Sequence, residues 1–91
     1  MSSQDDDLAT MSIGEVARRT GVTVPTLRAW ERRYGLLVPV RTAGGHRRYR
    51  EEDVRRVLAV LELVRQGWAV GAAARQVAGR SSAASVARPV D

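Results

Sequence analysis

Three residues, Gly21-Val22-Thr23, separate two short helical patterns, and this spacing constrains the chain more than any other feature in it. Upstream, Ser12 and Glu15 stand at the S-x-x-E spacing of a capping box, where serine and glutamate side chains satisfy each other's exposed amides. Ile13, Val16, Ala17 and Thr20 recur at helical spacing and predict a short first helix, which Gly21 can end by taking positive φ. Downstream, Thr23 suits an N-cap, and Pro25 falls early enough to cost no needed hydrogen bond. Leu27, Trp30 and Tyr34 repeat on one face of the second helix, and Gly35 stops it. Helices of about 8 and about 11 residues meeting across such a turn have the dimensions of a helix-turn-helix. Ala17 lies where the helices cross and only a small side chain fits, while Val22, Leu27 and Trp30 lock the crossing angle. In such a unit the outer face of the second helix, here Thr26, Arg28, Ala29, Arg32 and Arg33, is the one a DNA major groove receives.

After Gly35 the pattern changes. Val38 to Arg41 and His46 to Tyr49 read as two short strands joined by Thr42-Ala43-Gly44-Gly45. Two strands alone are marginal, so this hairpin must lean on the helices. Arg47 and Tyr49 fall on one side of the second strand, and His46 and Arg48 on the other. Arg47 suits a phosphate contact. Tyr49 suits either a backbone contact or a core position with its hydroxyl satisfied. His46, alone at a turn, reads as a polar or backbone-bonding residue rather than a pH switch. Glu51, Glu52 and Asp53 then place three acids in the first turn of a third helix over 51–66, compensating for Arg50, a poor N-cap. Val54, Val57, Leu58, Leu61 and Val64 form its apolar stripe. A weaker fourth helix is predicted over 70–78, with Val70, Ala73, Ala74 and Val77 inward. Residues 1–11 read as a disordered leader, 12–78 as the folded domain, and 79–91 as a flexible tail or linker.

Charge sharpens this picture. Fifteen basic residues oppose ten acidic ones, a net charge of +5, and every basic residue is arginine. Nine of them (18, 19, 28, 32, 33, 41, 47, 48 and 50) fall in one stretch whose only acid is Glu31, so that stretch carries +8 and the remainder −3. A field concentrated in this way attracts polyanions, and the planar guanidinium fork suits phosphate. Solvated surface charge on an ordinary helical hairpin would explain the helices but not the accumulation of arginine on one face.

Other chemistries are poorly served. Without cysteine there is no disulfide, thiolate zinc site or thiol nucleophile. One histidine cannot build a multi-histidine metal site unaided. Glu51/Glu52 and Asp5/Asp6 are adjacent pairs, which do not converge on a substrate. No glycine loop cradles a phosphate, and the chain is not expected to be an enzyme. Trp30 and Trp68 could stack on single-stranded bases, but Trp30 lies on the buried face and Trp68 follows a helix-ending glycine, so core packing is expected of both. No apolar run approaches the roughly 20 residues that span a bilayer, and the acidic N-terminus lacks the blocks of a signal peptide, so a cytoplasmic protein is expected.

The segments Ile13-Gly14-Glu15-Val16-Ala17, Gly21-Val22-Thr23, Thr26 to Gly35 (TLRAWERRYG) and Gly44-Gly45-His46-Arg47-Arg48-Tyr49 together resemble the winged helix-turn-helix domain of the MerR family. The resemblance runs over about 12–78. It implies a mainly α fold, a winged helix-turn-helix with four helices and a two-stranded hairpin wing. It also implies a bacterial transcription regulator whose recognition helix reads base edges while its wing grips phosphates. Carried onto this chain, Arg28 takes the family's DNA-contacting arginine position, and Arg47 and Tyr49 its wing positions. Arg18, Arg19, Thr26, Ala29, Arg32, Arg33 and His46 complete the expected DNA-facing set.

The chain departs from the family pattern in three ways. Ala29 stands where an aromatic residue is common, Arg50 and Ala69 stand where Ser, Thr or Pro often cap, and the long dimerising helix is missing. The wording resembles both the subgroup with a cobalamin-binding domain downstream and a small stand-alone type that binds direct repeats. The expected partners are double-stranded DNA and RNA polymerase, with the isolated chain a monomer that associates on DNA. No cofactor is expected in this chain, although the resemblance allows a cobalamin or other effector domain in a longer native protein. Two other functions suit the same surface: an excisionase-like factor that bends DNA, and a module binding an acidic protein such as a sigma or anti-sigma factor.

Overall fold

The computed structural model describes residues 10–86 of the chain, with side chains to residue 80. In order, the elements are β1 (Thr10–Met11), α1 (Ile13–Thr20), α2 (Val24–Tyr34), β2 (Val40–Arg41), β3 (Arg47–Arg50), α3 (Glu51–Arg65) and α4 (Val70–Val86). Four helices and a small antiparallel sheet make the fold mainly α, as the winged helix-turn-helix reading requires.

Local chemistry sets the helix ends. Ser12 Oγ accepts the Glu15 amide at 3.2 Å, but the Glu15 carboxylate turns to Arg18, so only half of the expected capping box forms. Gly21 takes φ +80 and sends its amide hydrogen to the Ala17 carbonyl, closing α1 where a side chain would be strained. Thr23 Oγ1 caps α2 through the Thr26 amide. At α3 the capping runs backward. Arg50 has no acceptor to offer, and Asp53 Oδ2 instead accepts the Arg50 amide at 2.8 Å.

The sheet differs from the expected two-stranded wing. Its order is β1-β3-β2, both pairings antiparallel, with Met11 opposite Tyr49 and Arg41 opposite Arg47. Thr10 and Met11 are therefore part of the folded domain, not of the leader, because β3 has a free edge that their backbone pairs with. Arg48 reinforces the pairing by donating from Nη2 to the Thr10 carbonyl at 3.2 Å. The rest of the leader reading, residues 1–9, lies outside the described residues. The hairpin tip closes through Gly45, which takes φ +82 and donates to the Thr42 carbonyl at 2.8 Å.

The core joins all four helices to the wing. Val16 of α1, Leu27 and Trp30 of α2, Tyr49 of β3, Val54, Val57 and Val60 of α3, and Ala73, Ala74 and Val77 of α4 are buried together with Leu36 and Leu37. Three inward assignments need correction. Leu58 and Val70 are exposed, and Val60 takes the inward place on α3, because α3 is packed by α1, α4 and β3 and so buries a different arc of its surface. Trp68 is also exposed rather than packed, since its amide donates to the Leu63 carbonyl in a turn beyond the helix end. The fourth helix continues past 78 to Val86, so the first part of the expected tail is helical. Alanine there favours helix even with serine beside it. Residues 87–91 lie outside the described residues.

One buried carboxylate fixes the path between helix and wing. Asp53 is 1% exposed. Besides the Arg50 amide, its Oδ1 accepts the Val38 amide at 2.9 Å and Arg56 Nη2 at 2.5 Å. Arg56 Nε in turn donates to the Leu36 carbonyl at 2.8 Å. The segment leaving α2 is thus tied at Leu36 and Val38 to the first turns of α3.

Candidate nucleic-acid interface

The expected DNA-facing residues separate into three groups. Arg28, Arg32 and Arg33 stand exposed on the side of α2 opposite Leu27 and Trp30. None of them makes an ion pair or hydrogen bond among the described residues. Near them, Thr26 is half-buried and its hydroxyl accepts from Thr23 Oγ1 at 2.9 Å, while Ala29 is partly buried against the core.

The second group is on the wing. Arg41 and Arg47 face each other across β2 and β3, both exposed. Like charges directly opposite repel, and the Glu31 carboxylate, 3.1 Å from Arg47 Nη1, offsets part of that repulsion. His46 is exposed at the tip, where its amide donates to Thr42 Oγ1 and its carbonyl accepts from Thr42 N.

The third group has partners within the fold. Arg18 pairs with Glu15 one turn back on α1. Arg19 donates through both terminal nitrogens to the two Glu51 oxygens, each at 2.7 Å, stapling α1 to α3. Tyr49, offered above as a backbone contact or a core residue, is a core residue. It is 2% exposed, and its hydroxyl donates to Glu31 Oε1 at 2.8 Å. Burial, and then that hydrogen bond, push the phenol up to about 12.

The staple has a measurable pH signature. The hydrogen bond from Arg19 holds the Glu51 carboxyl below its ordinary range. A depressed carboxyl stabilises the fold fully above the pH at which a free glutamate titrates, about 4.3. That contribution disappears as the pH falls through the lower folded value. Thermal melts followed by circular dichroism from neutral pH to about pH 3 are therefore expected to fall less steeply for Glu51→Gln than for the parent chain. Identical pH profiles would remove Glu51 from the account.

Sequence reasoning overlooked several residues. Glu31, half-hidden between α2 and the wing, gathers Tyr49 and Arg47. Its signal was its solitude, as the lone acid in a +8 stretch. Arg48, on the side of β3 away from Arg47, holds β1 through Thr10. Asp53 and Arg56 gave no local signal of their bond to the segment at Leu36 and Val38.

Among the described residues no cluster of His, Asp and Glu could hold a metal ion, and no helix is long and apolar enough to cross a membrane. Comparison with known proteins agrees with the geometry. Residues 11–79 match the family of MerR HTH family regulatory proteins. The chain is 45% identical over 60 residues to the HTH-type transcriptional regulator MlrA of Escherichia coli (strain K12), covering 66% of this chain and 25% of that protein. It is 42% identical over 66 residues to the HTH-type transcriptional repressor CarH of Myxococcus xanthus, covering 72% of this chain and 22% of CarH. A third relative, the HTH-type transcriptional activator SoxR homolog of Chromobacterium violaceum, is 49% identical over 49 residues, covering 54% of this chain and 32% of the homolog. These relatives are named as regulators, not enzymes, and each is several times longer than the stretch it shares. With the match over nearly the whole described fold, and with the helix-turn-helix and wing in place, this chain belongs to the MerR HTH family of regulatory proteins.

Proposed function

We propose that this chain regulates transcription by binding double-stranded DNA sequence-specifically, with the outer face of α2 in the major groove and the hairpin on the adjoining phosphate backbone. The observation that carries the reading is that, among the described residues, Arg28, Arg32 and Arg33 on one helix face have no ion pair, beside exposed Arg41 and Arg47 on the wing. Arginines that served only the fold would be expected to find acids, as Arg19 and Arg56 do. In this reading the isolated chain is a monomer that associates along DNA, uses no cofactor of its own, and acts on RNA polymerase bound nearby.

Two substitutions separate base reading from backbone grip. Arg28→Ala is expected to cost about 1–3 kcal/mol on the preferred duplex and to relax preference at one base pair. Arg47→Ala is expected to weaken all duplexes alike and to make the logarithmic salt dependence shallower by about 0.9. Fluorescence anisotropy on a selected and a random duplex reads both. Equal losses on the two duplexes for Arg28→Ala would reassign that residue to the backbone. Footprinting on the chain's own promoter region against a phage attachment site separates regulation from an excisionase-like role.

A further inference from the structure

Glu31 carries the opposite charge to the surface around it, yet it rises from the same helix as the arginines of the interface. Its side chain is only 14% exposed. One oxygen accepts Tyr49 Oη at 2.8 Å, and the other accepts Arg47 Nη1 at 3.1 Å. Arg47 and Tyr49 are two residues apart on β3, so they share a side of the strand. A single α2 carboxylate therefore engages the wing at two points. Arg28 lies three residues before Glu31 and Arg32 directly after it, both exposed. Arg47 itself is 54% exposed and uses one terminal nitrogen on Glu31, so its guanidinium still reaches solvent, where a phosphate would lie. Without that bond, the facing charge of Arg41 would push Arg47 away.

We propose that Glu31 is a positioning residue for DNA binding, a carboxylate that couples α2 to the wing so that Arg47 stands ready at a fixed distance from Arg28 and Arg32. The proposal rests on the DNA-binding reading above. It also makes a forecast that simple charge counting reverses. Removing a negative charge beside a polyanion site should strengthen binding if attraction alone matters. If Glu31 positions Arg47, removal should instead weaken binding, because a loosened side chain must be ordered anew on every encounter.

The test uses the full chain in anisotropy titrations against a duplex selected from a random pool and against unselected duplex, over a range of salt concentrations. Glu31→Gln is expected to bind the selected duplex about tenfold more weakly, the scale of one hydrogen bond to a charged group. Its logarithmic salt slope is expected to be shallower by about 0.9, one phosphate contact. In the Arg47→Ala background the same change should cost nothing further, since the residue it positions is gone. Tyr49→Phe removes the other arm of the contact and leaves Arg47 on Glu31. It should lower the melting temperature while keeping the salt slope, whereas a merely structural role for Glu31 would leave both variants with the same slope. Should Glu31→Gln fail to fold, Glu31→Asp keeps the charge but shortens the reach, and the same loss of slope is expected. Equal or tighter binding by the folded Glu31 variant, with the slope unchanged or steeper, overturns the coupling while Arg47→Ala still reports on DNA binding. Absence of salt-dependent binding by the parent chain to any duplex overturns the coupling and the DNA reading together.

Discussion

Asp53→Ala is expected to lower the unfolding free energy by about 3–5 kcal/mol, the cost typical of breaking a buried ion pair from one side. The carboxylate is almost wholly enclosed and accepts from the Val38 and Arg50 amides and from Arg56. Alanine would leave two amide hydrogens short of an acceptor and a mostly buried guanidinium short of its counter-charge. For a domain of this size each kcal/mol moves the melting temperature by about 4–8 °C, so a drop of at least about 12 °C is expected. Native stabilities are only about 5–15 kcal/mol, so the variant stands near the edge of folding. Asp53→Asn, which retains an acceptor oxygen, should fall between the two. A melting temperature within about 2 °C of the parent for Asp53→Ala would mean that water or a shifted side chain replaces the carboxylate, and the link between helix and wing would need another origin.

The largest effect expected in solution is on DNA affinity as salt is raised. If Arg28 is spent on a base, then Arg32, Arg33, Arg41 and Arg47 remain as exposed candidates for phosphate. Four neutralised phosphates give a logarithmic slope of about −3.6, so raising salt from about 50 to about 200 mM should weaken binding about 150-fold. Titrations at several salt concentrations measure the slope directly. A slope near zero on the selected duplex would show that the arginines do not meet phosphate. An acidic protein partner makes a different forecast, in which random DNA at low salt competes poorly for the basic face.

What was legible in the sequence is what neighbouring residues decide. Ser12, Gly21, Thr23 and Gly35 end helices through bonds spanning three to five positions, so α1 and α2 could be bounded from the sequence. The exposure of Arg28, Arg32 and Arg33 followed from the same periodicity, because Leu27 and Trp30 claim the opposite face. Long-range contacts were not legible. Nothing around Thr10 marks a strand, since its partner is Arg50, far along the chain. Asp53 looked like one of three acids favouring a helix N-terminus, and only the fold brings the Val38 amide to it. Nothing local marks that Arg19 pairs with Glu51 or that the Tyr49 hydroxyl bonds Glu31. On α3, periodicity gave a helix but could not choose between Leu58 and Val60, because the buried arc depends on how α1, α4 and β3 surround it.

The two-residue strand β1 has a practical consequence for anyone trimming this protein to its helices. A fragment starting at Ser12 would keep all four helices, but Arg48 would lose both the hydroxyl and the carbonyl of Thr10. The uncovered side of β3 would then offer bare backbone donors and acceptors to whatever molecule came next, the usual start of edge-to-edge clumping. Poor solubility, not lost helicity, is the foreseeable penalty, and a well-behaved fragment keeps Thr10 and Met11.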